Sequence, residues 1–244
     1  MIWFEHTEVV GWEAAIRGMR NPMNSWERSD SQLCKSVDGF EDCRVGVHGS
    51  CPRGDEGYFK EDIFCVGKND FELMQRLARA GTDHRKFMRM IVVYVDVTAP
   101  LYLYKELETY KVGTVSNSCS TMHSIHKKPF SVDDFSSENL LVYNNNFPVF
   151  VNLPMNSLFA TIDTLNVCRE MYLETNDKIW WWQMIQLLPT SYNQRRTLMM
   201  NYEVLANIYH ARKHHKLDEW REFCRWVESL PYSELITVKE KLND

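Results

Sequence analysis

The stretch from Arg89 to Lys111 places the tightest constraint on the fold. Arg89 to Thr98 is rich in Val, Ile and Tyr, the β-branched and aromatic types that pack well on a pleated surface, and this predicts a strand. Ala99-Pro100 follows at once. Proline suits the first turn of a helix, where its missing N–H has no intrahelical partner, so a helix is expected from there to about Lys111. The chain thus runs from strand into helix without a linker.

The remaining elements follow from spacing. Trp3 to Arg20 reads as a short extended run around Val9 and Val10, then a helix with Trp12, Ala15, Ile16 and Met19 on one face. Asn21 to Gly57 dissolves into Asn, Ser, Asp, Gly and Pro and is expected to be an irregular insertion or flap. Asn69, with Glu72 three residues on, predicts a capping box for a helix closed by Gly81. Gly113 to Thr121 is small and polar and reads as a turn-forming loop. Helices are expected from Pro154 to about Glu174 and from Asp177 through Trp180-Trp181-Trp182 to Leu188. Ser191 is expected to cap a further helix, with Leu198, Tyr202, Leu205 and Tyr209 on one face. A last pair covers Asp218 to Leu230 and Ser233 to Leu242. No linker or repeat divides residues 1–244, so a single α/β (α+β) domain with a large helical C-terminal half is expected.

Composition excludes several classes. Lys and Arg total 28 against 33 Asp and Glu, and a net charge of -5 is wrong for a nucleic-acid coat or a polybasic membrane binder. The apolar runs Met90 to Val95 and Ile179 to Leu188 fall short of the ~20 residues a membrane helix needs. The opening residues lack a basic leader, so a cytoplasmic protein is expected. Seven cysteines in 244 residues make a sparse, odd set, expected to be reduced. Cys34, Cys43, His48, Cys51 and Cys65 lack zinc-knuckle spacing, and no resident metal is expected.

The segment carrying Asn201, Asn207 and Arg212 holds the most chemistry. Read as one helix, residues eleven apart fall within about 20° on the wheel, which would set Asn201 and Arg212 on one side and Asn207 on an adjacent face. Arg offers a fixed fork of donors and Asn both donates and accepts, the set that reads the edge of a nucleobase or flavin. Cys119 is a candidate nucleophile, with His123 and His126 as possible bases. His210 and His214 stand one turn apart but lack a third metal ligand.

From Leu188-Pro189 through Asn201, Asn207, Arg212, His215, Glu219 and Arg221 the sequence resembles the C-terminal signature of the flavin-dependent thymidylate synthases. His215 aligns with a turn one residue shorter. Upstream, Leu77-Ala78-Arg79-Ala80-Gly81, the strand from Arg89, and Ala99-Pro100 through Lys105-Glu106-Leu107 resemble the family's approach to its Arg-His-Arg-x-x-Ser motif. The motif itself departs, reading Thr109-Tyr110-Lys111-Val112-Gly113-Thr114, so that Lys111 keeps a charge and Thr114 a hydroxyl. The Ser-x-Arg clamp that follows in the family has lost its Arg.

The resemblance, over roughly Asn69 to Leu230, implies a mixed sheet flanked by helices, and a homotetramer. It implies FAD held by Asn201, Asn207, Lys111, Thr114 and His215, and a pyrimidine nucleotide such as dUMP bound by Arg212, Lys111, Ser118, Ser120 and Arg195, with Arg212 the catalytic group. The implied reaction transfers a one-carbon unit to the C5 of dUMP, with methylenetetrahydrofolate and NADPH as co-substrates, giving dTMP or a hydroxymethyl product. The alternative is a catalytically inactive homologue that binds nucleotide or a protein partner.

Overall fold

The structure, a computed structural model, describes residues 1–34, 63–141 and 153–238. It opens with β1 (Trp3–Val10) and α1 (Trp12–Arg20). Two 3₁₀ turns, Asn21–Met23 and Trp26–Arg28, lead to β2 (Gln32–Cys34), which pairs antiparallel with β3 (Ile63–Cys65) in the register Leu33 to Phe64. The first part of the expected flap is therefore regular, and residues 35–57 of it lie outside the described residues. Then come α2 (Lys68–Arg79), β4 (Val92–Pro100), α3 (Leu101–Leu107), β5 (Thr114–Ser118) and the single turn α4 (Thr121–Ser124). The last part holds α5 (Leu153–Thr175), α6 (Lys178–Leu187), β6 (Asn193–Asn201), α7 (Tyr202–Arg212), α8 (Asp218–Glu228) and α9 (Glu234–Thr237). The four longer strands form one sheet in the order β1-β4-β6-β5. The α/β class expected from the sequence holds.

Strand β4 is the one expected, with Val93, Val95, Val97 and Ala99 buried in strict alternation. Pro100 stands at the N-cap of α3, which ends at Leu107, short of Lys111. Three expectations are corrected. First, α2 is capped from a distance: Asp30 accepts the backbone N–H groups of Asn69 and Asp70 at 2.9 and 3.1 Å, so Asn69 lies inside the helix. Second, Gly113 to Thr121 is not one loop, because residues 114–118 form β5. Third, residues 193–201 are not the start of a helix but β6, where Gln194, Leu198 and Met200 are buried at alternating positions. The helix begins only after Asn201. The last expected helix is shorter, ending at Thr237, and Leu242 lies outside the described residues.

Contacts gather into two compact units. The first comprises Met1–Glu5, Asp96–Thr109 and Ser116–Thr197, the second His6–Val95, Tyr110–Val115 and Leu198–Asp244. The first is cored by Ile125, Phe130, Phe135, Leu158, Leu165 and Met184, with Trp180 and Trp181 packed against them. Asp177 caps α6 as expected, accepting the N–H of Ile179 at 3.0 Å. Helices α5 and α6 also leave apolar side chains in solvent, among them Phe159, Val167, Ile179 and Trp182. The second unit is cored by α1, α7 and α8, where Trp12 meets Tyr202 and Tyr232 edge-on at 5.3 and 5.0 Å. Two buried ion pairs sit here, Arg20 with Asp70 at 2.6 Å and Arg85 with Glu203 at 2.8 Å. No described helix is long and apolar enough to cross a membrane.

Candidate functional site

Asn201 closes β6 and caps α7, its Oδ1 accepting the N–H of Val204 at 2.9 Å. Its backbone is extended, so the helical-wheel relation to Arg212 does not apply. The two side chains stand at opposite ends of α7, about 16 Å apart along the axis at 1.5 Å per residue. Gly113 approaches Asn201 so closely that only glycine fits: φ is +80°, and a Cβ would lie 2.3 Å from Asn201 Nδ2. Asn201 Nδ2 keeps its N–H groups without a partner among the described residues. Beside Gly113, the buried Oγ1 of Thr114 also lacks a hydrogen-bond partner. Lys111 is exposed, and its carbonyl accepts the Thr114 N–H at 3.4 Å.

Arg212, the last residue of α7, is held in place. Its Nε donates to the Tyr110 hydroxyl at 3.0 Å, and its guanidinium lies over the Trp220 ring at 4.9 Å and the Tyr110 ring at 5.7 Å. Aromatic faces attract a planar cation and restrict its rotamers, leaving it half-exposed but oriented. His215 belongs to the same cluster: its ring stands edge-on to Trp220 at 6.4 Å, its N–H donates to the Arg212 carbonyl at 2.8 Å, and its Nδ1 accepts the Leu217 N–H. Asn207 is exposed on α7 and its Oδ1 accepts Arg85 Nη2 at 3.4 Å, while Arg85 Nε holds Glu203. That bond fixes the amide with its NH₂ edge available. Tyr110 and Trp220 were missed by sequence reasoning. Tyr110 occupies a motif position and Trp220 follows Glu219, so the signal was position rather than residue type.

Ser118, Ser120 and Arg195 belong to the first unit. A hollow of about 480 Å³ there is lined by Ser120 and Arg195 together with Trp3, Cys119, Lys127 and Tyr192. Ser118 is exposed on β5 and does not line it. The rim is braced by the buried Gln194, whose Nε2 donates to the Cys119 carbonyl and the Thr121 hydroxyl at 2.8 and 3.0 Å. Ser120 accepts the His123 N–H at 3.2 Å, capping α4. Arg195 is committed to acids, with Asp96 at 2.8 Å and Glu5 at 3.3 Å, which weakens its assignment as a phosphate clamp. Arg196 is likewise held by Glu108 and lies over the Tyr104 ring at 3.9 Å. Burial drives the Tyr104 hydroxyl far above its ordinary pKa, and it donates to the Val97 carbonyl at 2.7 Å.

Among the described residues no three His, Cys, Asp or Glu side chains gather to hold a metal ion. Cys43, His48 and Cys51 lie outside them. The Nε2 of His210 lies 3.0 Å from the Val238 carbonyl, and burial lowers its pKa.

No family model matches the sequence, and no curated protein matches it. Solved structures do. A flavin-dependent thymidylate synthase ThyX from Helicobacter pylori, complexed with FAD and dUMP, superposes with a TM-score of 0.60 at 16% identity, over 98% of this chain and 99% of that one. A UMP/dUMP methylase PolB from Streptomyces cacaoi, bound with 5-Br dUMP, gives 0.60 at 13% identity, over 100% of this chain and 98% of that one. At such identity the likeness concerns backbone and not side chains, and it covers essentially the whole length. The chain has the fold of the flavin-dependent thymidylate synthases.

Proposed function

We propose that this protein binds a pyrimidine deoxynucleotide such as dUMP and transfers a one-carbon unit to its C5. The observation that carries the reading is the Arg212 guanidinium, oriented by Tyr110 and Trp220 at the end of α7. A guanidinium fixed in this way donates to a ring carbonyl and stabilises the negative charge that develops on the pyrimidine as C5 attacks. Similar folds carry the same class of ligand, since the Helicobacter pylori structure holds FAD and dUMP and the Streptomyces cacaoi methylase holds 5-Br dUMP.

The residues present fit a flavin. The partnerless Asn201 Nδ2 and Thr114 Oγ1 flank the close approach of Gly113, and Asn207 offers its NH₂ edge. Asn201, Asn207, Thr114, Lys111 and His215 would hold FAD, which supplies the redox chemistry of the transfer, drawing on NADPH, with methylenetetrahydrofolate as carbon donor. Lys111 would meet the nucleotide's polar groups, whereas the carboxylates on Arg195 compete with a phosphate for it. The exposed apolar side chains of α5 and α6 support assembly into a homo-oligomer, by family resemblance a tetramer in the cytoplasm.

The test is to incubate the protein with dUMP, FAD, NADPH and methylenetetrahydrofolate and to identify the nucleotide product by mass spectrometry. Methylated or hydroxymethylated dUMP is expected. Unmodified dUMP that nevertheless binds would favour the second reading, a nucleotide-binding homologue without catalysis, which the neutralised Arg195 supports.

A further inference from the structure

The second unit contains a larger hollow, of about 890 Å³, between the Met23 to Asp30 segment and α2. It uses none of the residues assigned above. Its walls are pinned from below by the buried Arg20, whose Nε meets Asp70 and whose Nη1 and Nη2 donate to the carbonyls of Ser25 and Arg28, both at 3.2 Å. The Asp70 carboxylate also accepts from the hydroxyls of Ser29 and Ser31 at 2.7 and 2.6 Å. Asp30, which lines the hollow, is spent on the N-terminus of α2. Even Gly67 is required, since a Cβ there would lie 2.2 Å from Asp30 Oδ1. The two walls therefore hold a fixed spacing.

The distribution of arginine partners singles this hollow out. Among the described residues, all but four arginines hold a carboxylate, a backbone carbonyl or, for Arg212, a phenol. Four have no hydrogen-bond or ion-pair partner there: Arg28, Arg76, Arg79 and Arg89. Arg28, Arg76 and Arg79 line this one hollow, Arg28 on one wall and the other two one turn apart on the other. Glu27 and Glu72 share the lining but pair with none of them, so unpaired guanidinium groups exceed unpaired carboxylates.

A guanidinium fork matches phosphate oxygens two at a time, and several forks lining one groove suit a ligand with more than one phosphate. Preorganised walls lower the ordering cost of binding it. We propose that this groove is a binding site for a compact polyphosphate-bearing ligand, engaged by Arg28, Arg76 and Arg79.

The test is calorimetric titration of the full chain with inorganic tripolyphosphate at low salt, alongside Arg28→Gln and the double variant Arg76→Gln/Arg79→Gln, with citrate as a second probe. All three side chains are exposed, so the variants are expected to retain the wild-type circular dichroism spectrum. Saturable binding to the wild type is expected, weakened by at least about tenfold in each variant and with citrate much weaker. Absence of saturable tripolyphosphate binding, equal affinity in wild type and variants, or equal affinity for citrate would each overturn the proposal. Titration with dUMP, expected to be unaffected by these variants, separates failure here from failure of the nucleotide reading.

Discussion

Gly113 and Asn201 meet so closely that a Cβ on the glycine would lie 2.3 Å from the asparagine's Nδ2. The contact joins the turn before β5 to the N-cap of α7, next to two polar groups without a partner among the described residues, Asn201 Nδ2 and, one residue on from Gly113, Thr114 Oγ1. Gly113→Ala is expected to destabilise the protein by about 1–3 kcal/mol, combining the positive φ with the forced displacement of Asn201. Denaturant unfolding checks this, and an unchanged midpoint would show that the approach is not required.

Substitution separates the cap that Asn201 forms from the flavin contact proposed for it. Asn201→Asp keeps the oxygen that caps α7 but replaces the NH₂ donors, so unfolding stability is expected to change little while flavin affinity falls. Asn201→Ala is expected to lose both, with about 1 kcal/mol of stability gone with the cap. If Asn201→Asp bound FAD as tightly as the wild type, the side chain would be a cap only.

Asp70 is buried against Arg20. Burial alone would raise its pKa, but hydrogen bonds from Ser31, Ser29 and Arg20, with the charge of Arg20, outweigh that and hold it below the ordinary carboxylate value. A carboxyl depressed in the folded state contributes stability above its unfolded pKa of about 3.9 and loses it as pH falls through the folded value. Asp70→Asn is therefore expected to cost about 3–5 kcal/mol at neutral pH, the cost of an unpaired buried charge on Arg20. The gap from wild type should narrow below about pH 4. A pH-independent gap in urea unfolding would contradict this.

Thiol chemistry gives a fourth check. Cys119 is exposed on the braced rim of the smaller hollow, whereas Cys65, Cys168 and Cys224 are buried. Burial also pushes the Cys168 thiol up and the Cys224 thiol to about 11. Of these four, Cys119 is expected to react first with an alkylating reagent in the native state, read by peptide mapping. Labelling of Cys224 at a similar rate would mean that α8 opens readily.

The sequence showed its elements best where the pattern was local. The β-branched and aromatic content of β4 and the Asp177 cap of α6 are written in neighbouring residues; the cap holds as read, and the strand is found at Val92–Pro100 rather than Arg89 to Thr98. Asp30 capping α2 and Arg20 pairing with Asp70 join residues forty and fifty apart, which no local pattern displays. Strand β5 was hidden by its Ser and Asn content, and β6 because Leu198 and Tyr202 also suit a helix. In the candidate site, the residue types of Arg212, Asn207 and His215 stood out in the sequence. Their support was not, since Tyr110, Trp220 and Arg85 act through contacts made only in the fold.

The central claim is that Arg212 binds a pyrimidine nucleotide beside a flavin site. The most direct measurement is the visible absorbance of the purified protein after incubation with FAD, followed during titration with dUMP, for wild type and Arg212→Ala. A protein-bound flavin band that shifts saturably with dUMP, and that persists without the shift in Arg212→Ala, is the predicted result. A colourless protein that takes up no FAD, or an identical dUMP response in the variant, would contradict it.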